Sequence, residues 1–317
     1  IVASLVGSEM CIRDRYLSMD NSRKKVLNCI GAGKVGKSLC HKLKTHIQID
    51  CIINQSIESA DKAKAVIKDE RIKTFSIDQL KSATSANFWM LSCSDDQIEE
   101  VSIRLSSTDL LRTGDIVFHC SGSLPSSILR KNLSKKIGVA SIHPLLSFNG
   151  SIAMEESFKS APVTLEGDNN AVEQIINLLE PLKLKPIKIA SSDKSRYHIA
   201  SVFASNYLIS ILELSHNLIN EIRINDSDKK QLLDPLIRNT MNNYFQSGTI
   251  ESLTGPISRG DLTTIKSHLS ELENMSSKWL KAYIELGEIT VDLAAKQKHA
   301  KHENLSEIAS LLKNFRF

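Results

Sequence analysis

The segment GAGKVG, which begins at Gly31, constrains the fold more than any other feature of this chain. It follows the apolar run Lys25–Ile30, which has the composition of a buried strand. After it, Val35–Thr45 has the 3.6-residue apolar period of a helix. A strand, a glycine turn and a helix in this order form the start of a βαβ unit. We therefore expect a parallel sheet that begins with these residues.

Short apolar runs alternate with amphipathic segments as far as about Ala190, the pattern of a parallel sheet covered by helices. From Ser191 onward strand signals stop and long helical periods follow. The sequence thus predicts an α/β fold, with an N-terminal Rossmann-type parallel sheet (19–190) and an all-α C-terminal domain (191–317). The predicted strands are Lys25–Ile30, Ile49–Asn54, Phe88–Ser92, Asp115–Cys120, Gly138–Ile142, Pro162–Glu166 and Pro186–Ile189. The predicted helices are Val35–Thr45, Ser59–Lys68, Ala171–Glu180, Asp193–Ile222, Asp228–Gln246, Asp261–Leu272, Ser276–Gln297 and Leu305–Phe315.

We interpret the first eighteen residues as a non-native leader. The stretch Leu5–Arg15, LVGSEMCIRDR, resembles one translated reading frame of a transposon-type sequencing adapter. It lacks the basic start and long apolar centre of a signal peptide. We expect residues 1–18 to be non-native and the natural chain to start at Met19.

Composition excludes several classes of protein. The net charge is only +4 over 317 residues, and Lys and Arg are interspersed with Asp and Glu, so we expect no nucleic acid partner. No apolar run reaches the roughly 18–20 residues that span a bilayer, so we expect no membrane association. The six Cys lack CxxC spacing, which argues against a disulfide framework and a zinc site. We expect a cytoplasmic protein.

The glycines of GAGKVG have separate roles in dinucleotide binding. Gly31 permits the tight turn, Gly33 lets the backbone approach a pyrophosphate, and Gly36 allows close packing of helix on sheet. The start of the helix offers free N–H groups to the anion. We expect a dinucleotide site rather than a structural turn alone, formed by Gly31, Ala32, Gly33, Lys34, Val35 and Gly36.

The end of the second predicted strand indicates which dinucleotide binds. NAD-specific sites place an Asp or Glu there to hold the ribose hydroxyls, whereas this chain has Asn54, Gln55 and Ser56. An uncharged polar end with Lys62 and Lys64 nearby tolerates a 2′-phosphate better. The sequence therefore predicts NADP, with Asn54 and Ser56 at its ribose, although Gln55 stands where many NADP sites carry Arg.

Two further strand ends carry small polar residues. LSCSDDQI places Ser92 and Cys93 at one strand end, and CSGSLP places Ser121 at another. Open α/β sheets bind ligands at this edge, so we expect these three residues to contact the cofactor. We expect Asp95 or Asp96 to be the N-cap of the next helix rather than a site residue.

His143 ends a predicted strand, and Pro144 after it favours an extended backbone. A His with a near-neutral pKa is a natural proton donor or acceptor for hydride transfer involving a carbonyl or imine. A histidine that is hydrogen-bonded to backbone at a turn fits the sequence equally well. Both interpretations of His143 therefore stay open.

The segment KSRYHIASVFASNYL opens the helical half. At 100° per residue, Lys194, His198, Ser201 and Ser205 form one polar stripe on an otherwise apolar helix, which we expect to be buried. Such a stripe is costly unless it pairs or faces a wet cavity. We favour a cleft-lining role for Lys194 and His198 over hydrogen bonds between helices. Asn206 lies off the stripe, and we expect it to make a buried structural hydrogen bond.

Arg259 lies in LTGPISRGD, a loop with Gly and Pro that leads into a helix. Its guanidinium suits a substrate carboxylate or a phosphate, whereas Asp261 is expected to be an N-cap. His299 and His302 are three residues apart and lack a third ligand, so no metal site is predicted there.

The segments GAGKVG, LSCSDDQI, HCSGSL, SIHPLLSF, YHIASVFASNYL and LTGPISRGD together resemble the Rossmann-like and DUF2520 domain-containing proteins. These are relatives of pyrroline-5-carboxylate reductase and of the coenzyme F420-dependent NADP oxidoreductases. The resemblance runs from about Val26 to Leu269. It implies a Rossmann domain followed by an α-helical domain of a kind that commonly dimerises, and it implies NADP-linked reductase chemistry by analogy only. The family's YH and SNY positions correspond to Tyr197, His198, Ser205, Asn206 and Tyr207, with no role attached to them.

Three functions follow from these observations. The first is an NADP-dependent oxidoreductase that acts on a small carbonyl or imine held between the domains. In it His143 or His198 moves the proton, Lys194 stabilises developing negative charge, and Arg259 holds an anionic substrate group. The second is a non-catalytic sensor that binds NADPH, and the third is an F420-linked oxidoreductase. The apolar stripes of the helical half favour a homodimer.

Overall fold

The computed structural model of the protein describes residues 25–146, 148 and 158–315. The proposed leader, residues 1–18, lies outside the described residues. By packing, the chain divides into two compact units, one that ends at Asn206 and one that begins at Tyr207. The domain boundary expected after residue 190 stays a prediction.

The first unit is built on one eight-stranded sheet. Its strands are β1 (Val26–Ile30), β2 (Gln48–Asn54), β3 (Lys73–Ser76), β4 (Phe88–Leu91), β5 (Ile116–His119), β6 (Gly138–Pro144), β7 (Pro162–Gly167) and β8 (Lys185–Lys188). They lie in the order β3-β2-β1-β4-β5-β6-β7-β8. Neighbours are parallel except for β6 and β7, which are antiparallel. The order reverses between β1 and β4, as in a Rossmann fold, so ligands are expected beyond the carboxyl ends of these strands.

Helices cover both faces of the sheet. Side chains alternate along β4, where Phe88 and Met90 pack into one apolar cluster and Trp89 and Leu91 into the other. Strands that are buried on both faces explain why their sequences are continuous apolar runs. The helices of this unit are α1 (Lys34–Leu43), α2 (Ile57–Ile67), α3 (Asp95–Ser106), α4 (Ser127–Arg130), α5 (Asn169–Leu179) and α6 (Lys194–Val202), and α6 continues into a π-helical turn (Phe203–Tyr207).

The second unit is helical. Its helices are α7 (Leu208–Asn220), α8 (Asp226–Ser252), α9 (Pro256–Arg259), α10 (Leu262–Met275), α11 (Ser277–Gln297) and α12 (His302–Asn314). Its core contains Ile265 of α10, Ile284 of α11 and Ile308 of α12. Gly248 interrupts α8 with a φ of 77°, which bends the helix near its end. Among the described residues, no helix is long and apolar enough to cross a membrane.

The predicted fold class, a Rossmann-type sheet followed by helices, is confirmed. The prediction omitted β3, which has four residues, none of them fully buried. The prediction of a buried helix after Asp193 is wrong for the single chain. Ile199, Phe203 and Ile209 are 54%, 59% and 65% exposed.

Candidate active site at the carboxyl edge of the sheet

In the glycine turn after β1, neighbouring atoms leave no room for a side chain at Gly31 or Gly36 but leave room at Gly33. Gly31 has a φ of 81°, and a Cβ there would lie 2.4 Å from the backbone N of Cys93. A Cβ at Gly36 would lie 2.2 Å from Oγ of Ser92. At Gly33 the nearest atoms are backbone oxygens at 3.9 and 4.0 Å. The protein therefore occupies the space at the first and third glycines and leaves the second accessible, as close approach of a phosphate requires.

Helix α1 begins directly after this turn. Lys34 is its first residue and is exposed, Val35 follows, and Gly33 is the N-cap without a side-chain cap. The first N–H groups of a helix have no partner within the helix. The start of α1 is therefore suited to an anion.

Asn54, at the end of β2, stabilises the glycine turn through hydrogen bonds of its side chain. Its Oδ1 accepts a 2.7 Å hydrogen bond from the backbone N of Ala32, and its Nδ2 donates to Oγ of Ser59 at 3.0 Å. Ser56 is the N-cap of α2 and accepts from the N of Ser59 at 3.3 Å. The polar groups of Asn54 and Ser56 thus hold the turn and the helix start in place. Sequence reasoning did not foresee this role.

Charges near the end of β2 are mixed. Lys64 forms an ion pair with Glu70 across 3.6 Å, and Lys62 is exposed. Glu58 lies in the first turn of α2, where hydrogen bonds from its own backbone N–H and from the Ser56 hydroxyl lower its pKa. An amide therefore stands where NAD-specific sites place an acid, but a carboxylate lies one turn further along the chain.

Ser92 and Cys93 join the end of β4 to the glycine turn. Oγ of Ser92 donates to the backbone O of Gly31 at 2.7 Å. Burial is the main cause that raises the pKa of the Cys93 thiol to about 12, so the thiol is protonated at neutral pH. Cys93 therefore contributes packing against Gly31 rather than a thiolate.

Asp95 links two strand-end loops. Its Oδ2 accepts from Oγ of Ser121 at 2.8 Å and from Oγ of Ser123 at 2.7 Å. The prediction that Asp95 or Asp96 caps the helix is wrong, because the N-cap of α3 is Ser94 and Asp95 is already the first helical residue. From that position the Asp95 carboxylate reaches the loop after β5 instead of the helix amides.

His143 and His198 both pack against Gly122, in the loop after β5. A Cβ at Gly122 would lie 2.6 Å from Cδ2 of His198 and 2.9 Å from Cε1 of His143. The two imidazole centroids are 5.9 Å apart, with the rings edge to face. Burial, followed by the neighbouring His198 and Lys194, lowers the pKa of His143 to about 4. His143 is therefore neutral near physiological pH.

A cavity of about 240 Å³ opens beside these imidazoles. Its wall is polar at His143, His198, Ser201, Ser205 and Asn206, and apolar elsewhere. The prediction that Asn206 is buried is wrong, since it is exposed in this wall. All residues of the π-helical turn, Phe203–Tyr207, are exposed, so this turn has no buried side on which Asn206 could lie. The apolar lining residues are Pro144, Leu145, Leu146, Val202 and Ala204.

Lys194 is only 2% exposed and is not among the residues that line the cavity. Its Nζ donates to the backbone O of Ser121 at 2.9 Å and to Oγ of Ser141. Burial lowers the pKa of the ammonium to about 8, although Glu166 and Asp95 partly oppose this change. Lys194 thus holds the loop after β5 against β6 and brings positive charge close to the His143 imidazole.

Glu166 and Tyr197 are two residues whose roles the sequence did not suggest. The buried Glu166 carboxylate accepts from N of Ser126 at 2.6 Å, from Oγ of Ser126 at 2.9 Å and from Oγ of Ser191 at 2.5 Å. It therefore ties β7 to the loop after β5 and to the segment before α6. The phenol of Tyr197 lies 2.8 Å from Nδ1 of His143. A carboxylate within the apolar strand PVTLEG was a signal for Glu166; no comparable signal marked Tyr197.

Arg259 lies in the second unit, where it is exposed at the end of α9. Asp261 caps α10 by accepting from the N of Thr264 at 3.1 Å, so its predicted N-cap role is confirmed. Within the described ranges, no three His, Cys, Asp or Glu side chains are grouped so that they could hold a metal ion.

Family models match two parts of the chain. Residues 12–144 match the family described as "Rossmann-like domain", and residues 161–290 match "Domain of unknown function (DUF2520)". A comparison with curated proteins finds no match.

Three solved structures have similar folds. Protein TM1727 from Thermotoga maritima is 25% identical with a TM-score of 0.65, and the match covers 86% of this chain and 99% of that one. BF3122 from Bacteroides fragilis, named "putative NADP oxidoreductase", is 19% identical with a TM-score of 0.67 and coverage of 87% and 98%. The 1-pyrroline-5-carboxylate reductase from Streptococcus pyogenes is 14% identical with a TM-score of 0.54 and coverage of 90% and 98%.

Proposed function

On the premise that family models for a Rossmann-like domain and for a DUF2520 domain match this chain, we propose that it is an NADP-dependent oxidoreductase. Its reaction would transfer a hydride to or from a small carbonyl or imine. The observation that carries the proposal is the contact of Gly122 with both His143 and His198. This contact brings two proton-transfer groups to the sheet edge that also carries the glycine turn.

The residues at this edge fit a dinucleotide. The pyrophosphate would lie over Gly33 and the first amides of α1, since a Cβ at Gly33 would meet no atom closer than 3.9 Å. Ser92, Cys93 and Ser121 would line the path of the cofactor from the turn to the imidazoles. When bound, the nicotinamide ring supplies or accepts the hydride.

NADP is favoured over NAD because the strand-end position is the neutral Asn54, whose amide already bonds Ala32. Ser56 follows Asn54 by two positions, so its hydroxyl could contact a 2′-phosphate there. Lys34 is exposed at the start of α1 and could supply a positive charge. Glu58 opposes a phosphate at this position. The selectivity for NADP therefore depends on Asn54 and Lys34 outweighing the charge of Glu58.

The catalytic groups we propose are those that surround Gly122, together with two cations. His143 or His198 exchanges the proton with the substrate. Lys194 stabilises negative charge that develops nearby, through its field and through the loop that it holds. Arg259 binds an anionic group of the substrate. The neutral state of His143 suits a group that accepts a proton or a hydrogen bond near neutral pH.

Calorimetric titration with NADPH and, separately, NADH tests the cofactor. We expect NADPH to bind at least about tenfold more tightly, a difference of about 1.4 kcal/mol. A screen of small carbonyls and imines, followed by NADPH absorbance, then tests turnover. His198→Ala should lower turnover far more than cofactor affinity. If no pool of metabolites ever oxidises bound NADPH, the chain is a sensor, and if neither nucleotide binds, the dinucleotide proposal fails.

We also propose that the protein is a cytoplasmic homodimer. The side chains of α6 to α8 expose many large apolar groups, including Phe245, which is 74% exposed. Apolar surfaces of this extent are uncommon on monomers, and a second copy of the chain is the partner we favour for covering them.

A further inference from the structure

One carboxylate oxygen holds the residues on both sides of Gly122. Oδ2 of Asp95 accepts from Oγ of Ser121 at 2.8 Å and from Oγ of Ser123 at 2.7 Å. An ionised carboxylate can only accept hydrogen bonds, so each serine hydroxyl gives its single proton to it. Hydrogen bonds to a charged acceptor are roughly twice as strong as those between neutral groups. Both serines are therefore held firmly against the start of α3.

The place of Asp95 in α3 makes it a rigid support. Asp95 is the first residue of this helix, after the N-cap Ser94. A negative side chain at the N-terminus of a helix is stabilised by the helix dipole. The helix itself is fixed by its apolar face, where Ile98 is fully buried in the core. The carboxylate thus connects the loop after β5 to an element that is anchored in the core.

Ser121 is also held from other directions. Its backbone N donates to Nδ1 of His119 at 3.2 Å, and its backbone O accepts from Nζ of Lys194 at 2.9 Å. Its hydroxyl oxygen accepts from the N of Leu124 at 2.9 Å while its proton goes to Asp95. The backbone and the side chain of Ser121 therefore both have fixed partners.

The two imidazoles lie against the segment that these hydrogen bonds fix. A Cβ at Gly122 would lie 2.6 Å from Cδ2 of His198 and 2.9 Å from Cε1 of His143, so both rings pack on the glycine backbone. Gly122 is buried and stands between the two serines in the chain. A shift of this segment would therefore change the surface on which both rings rest.

We infer that Asp95 is the positioning residue of the two imidazoles that pack against Gly122. Its carboxylate fixes the serines on both sides of this glycine, and the glycine backbone sets how His143 and His198 approach each other. The consequence for catalysis rests on the proposed function. The effect of Asp95 on the rings does not depend on that function.

The charge of Asp95 is a second route to the site, and it can be separated from the first. Burial lowers the pKa values of His143 and Lys194, and the negative charge of Asp95 opposes this change only in part. Asp95→Asn removes the charge but keeps an oxygen that can accept from both serines. Asp95→Ala removes the charge and the acceptor. A comparison of these two variants therefore isolates the hydrogen bonds.

Carbon–proton NMR spectra of the histidine rings in the whole chain test the inference. His143→Gln and His198→Gln assign the two sets of ring signals by their loss. In Asp95→Ala we expect both sets to shift and broaden, because the loop that carries Gly122 is no longer held. In Asp95→Asn both sets should stay close to their wild-type positions.

Asp96→Ala is the matched control, since Asp96 is the exposed residue next to Asp95 in the first turn of α3. It removes the same charge from the helix start and should leave both sets of ring signals unchanged. Wild-type ring signals in Asp95→Ala overturn the inference. Equal shifts in Asp95→Asn and Asp95→Ala also overturn it, because they would assign the effect to charge.

The two serines test the route by which Asp95 acts. A variant with both Ser121→Ala and Ser123→Ala should reproduce the ring signals of Asp95→Ala. Adding Asp95→Ala to that variant should change the signals no further, because residues that act through one network are not additive. Ser123→Ala alone is the milder change and keeps the test available if the double variant does not fold. It should shift both sets in the same direction by less, and unchanged signals count against the inference.

Turnover separates this inference from the proposed function. With a carbonyl or imine that the wild type reduces, Asp95→Ala should lower kcat at least about tenfold, because displaced proton-transfer groups react slowly. KM should change by less than kcat, and Asp96→Ala should keep both values. A wild type without any turnover counts against the proposed function and leaves the NMR result intact. Unchanged kcat in Asp95→Ala overturns the catalytic consequence even if the rings have moved.

Discussion

The ammonium of Lys194 donates a 2.9 Å hydrogen bond to the backbone oxygen of Ser121, although 73 positions separate the two residues in the chain. The same Nζ also donates to Oγ of Ser141 on β6. One buried cation thus joins the first turn of α6 to the loop after β5 and to the middle of β6. The position of the loop that carries Gly122, and with it the spacing of the two imidazoles, depends on this cation.

Lys194 should make the protein more stable as the solution becomes alkaline. Burial lowers its pKa from 10.5 to about 8, so between these values the native state loses the proton while the unfolded chain keeps it. Stability rises with pH wherever the unfolded state binds more protons, here by up to about 3 kcal/mol. Chemical denaturation of the wild type and Lys194→Met across this window measures the effect.

We expect the difference in unfolding free energy between wild type and Lys194→Met to increase in favour of the wild type across this window. Lys44→Met is a suitable control, because Lys44 also donates to two backbone oxygens but is only partly buried. A pH-independent difference between Lys194→Met and the wild type would show that the ammonium is not desolvated as described.

Alanine at Gly33 should weaken NADPH binding and leave stability nearly unchanged, whereas alanine at Gly36 should lower the stability of the fold. At Gly33 a Cβ has no neighbour within 3.9 Å, so the fold tolerates it, but it would occupy the space that a phosphate needs. We expect Gly33→Ala to change unfolding free energy by less than about 1 kcal/mol and to weaken NADPH binding at least about tenfold. At Gly36 a Cβ would lie 2.2 Å from Oγ of Ser92.

Gly36→Ala should therefore lose about 1–3 kcal/mol of stability through overpacking. Calorimetry and denaturation of both variants provide the comparison. Equal affinity of Gly33→Ala and wild type for NADPH would mean that no phosphate approaches this turn.

Much of the fold could be predicted because its signals are local. The strands of the sheet interior are continuous apolar runs, and each ended within two residues of its predicted position. β3 was missed because Lys73–Ser76 is short, lies at the sheet edge and buries no residue completely. A short edge strand that is held by hydrogen bonds to its neighbour and buries no side chain completely has no apolar run by which the sequence could predict it.

The site was harder to predict because its contacts join residues that are distant in sequence. A helical wheel placed Lys194 and His198 on one stripe, but Lys194 is buried against the loop after β5 and against β6, while His198 lines the cavity. Asn206 was misplaced because an apolar helix was assumed to be buried, whereas all residues of the π-helical turn that contains Asn206 are exposed. The position of His143 at a strand end could be read locally, whereas its bond to Tyr197 depends on tertiary packing.

Asn54→Asp should reverse the cofactor preference. The new carboxylate can still accept from the N of Ala32, as the Asn54 amide does at 2.7 Å, so the turn should be kept. A negative charge here repels a 2′-phosphate but can accept from the ribose hydroxyls of NAD. We expect NADPH to bind at least about tenfold more weakly and NADH to bind as well or better.

Asn87→Asp controls for the change of amide to acid, because Oδ1 of Asn87 also accepts a backbone N–H, that of Val26, at the opposite end of β1. It should leave both affinities unchanged. If Asn54→Asp binds NADPH as well as the wild type does, the 2′-phosphate lies elsewhere.

His119 should make the protein sensitive to acid. This fully buried ring accepts a hydrogen bond from N of Ser121 at 3.2 Å through Nδ1. Burial is the main cause that lowers its pKa from 6.5 to about 4. As pH falls between these values the unfolded chain takes up a proton that the native state does not, so stability falls, by up to about 3 kcal/mol.

His119→Asn keeps an acceptor near the position of Nδ1 but cannot titrate in this range. We expect its unfolding free energy to fall less than that of the wild type when the pH is lowered through this window. The exposed His46 provides the control, since His46→Asn should retain the full wild-type dependence on acid. An equal loss for His119→Asn and wild type would assign the acid sensitivity to other groups.

The exposed apolar side chains of the second unit should determine its assembly. Ile209 of α7 is 65% exposed and Phe245 of α8 is 74% exposed, and none of the described side chains of α8 is buried. A long helix with no buried side chain gains little stability from packing within its own chain, so a partner that covers it contributes most of its stabilisation. Light scattering should give the mass of two chains for the wild type and of one chain for Phe245→Lys. Ile103→Lys changes an exposed residue of α3 to the same side chain and should remain a dimer; a wild type that scatters as a single chain would contradict the proposed assembly.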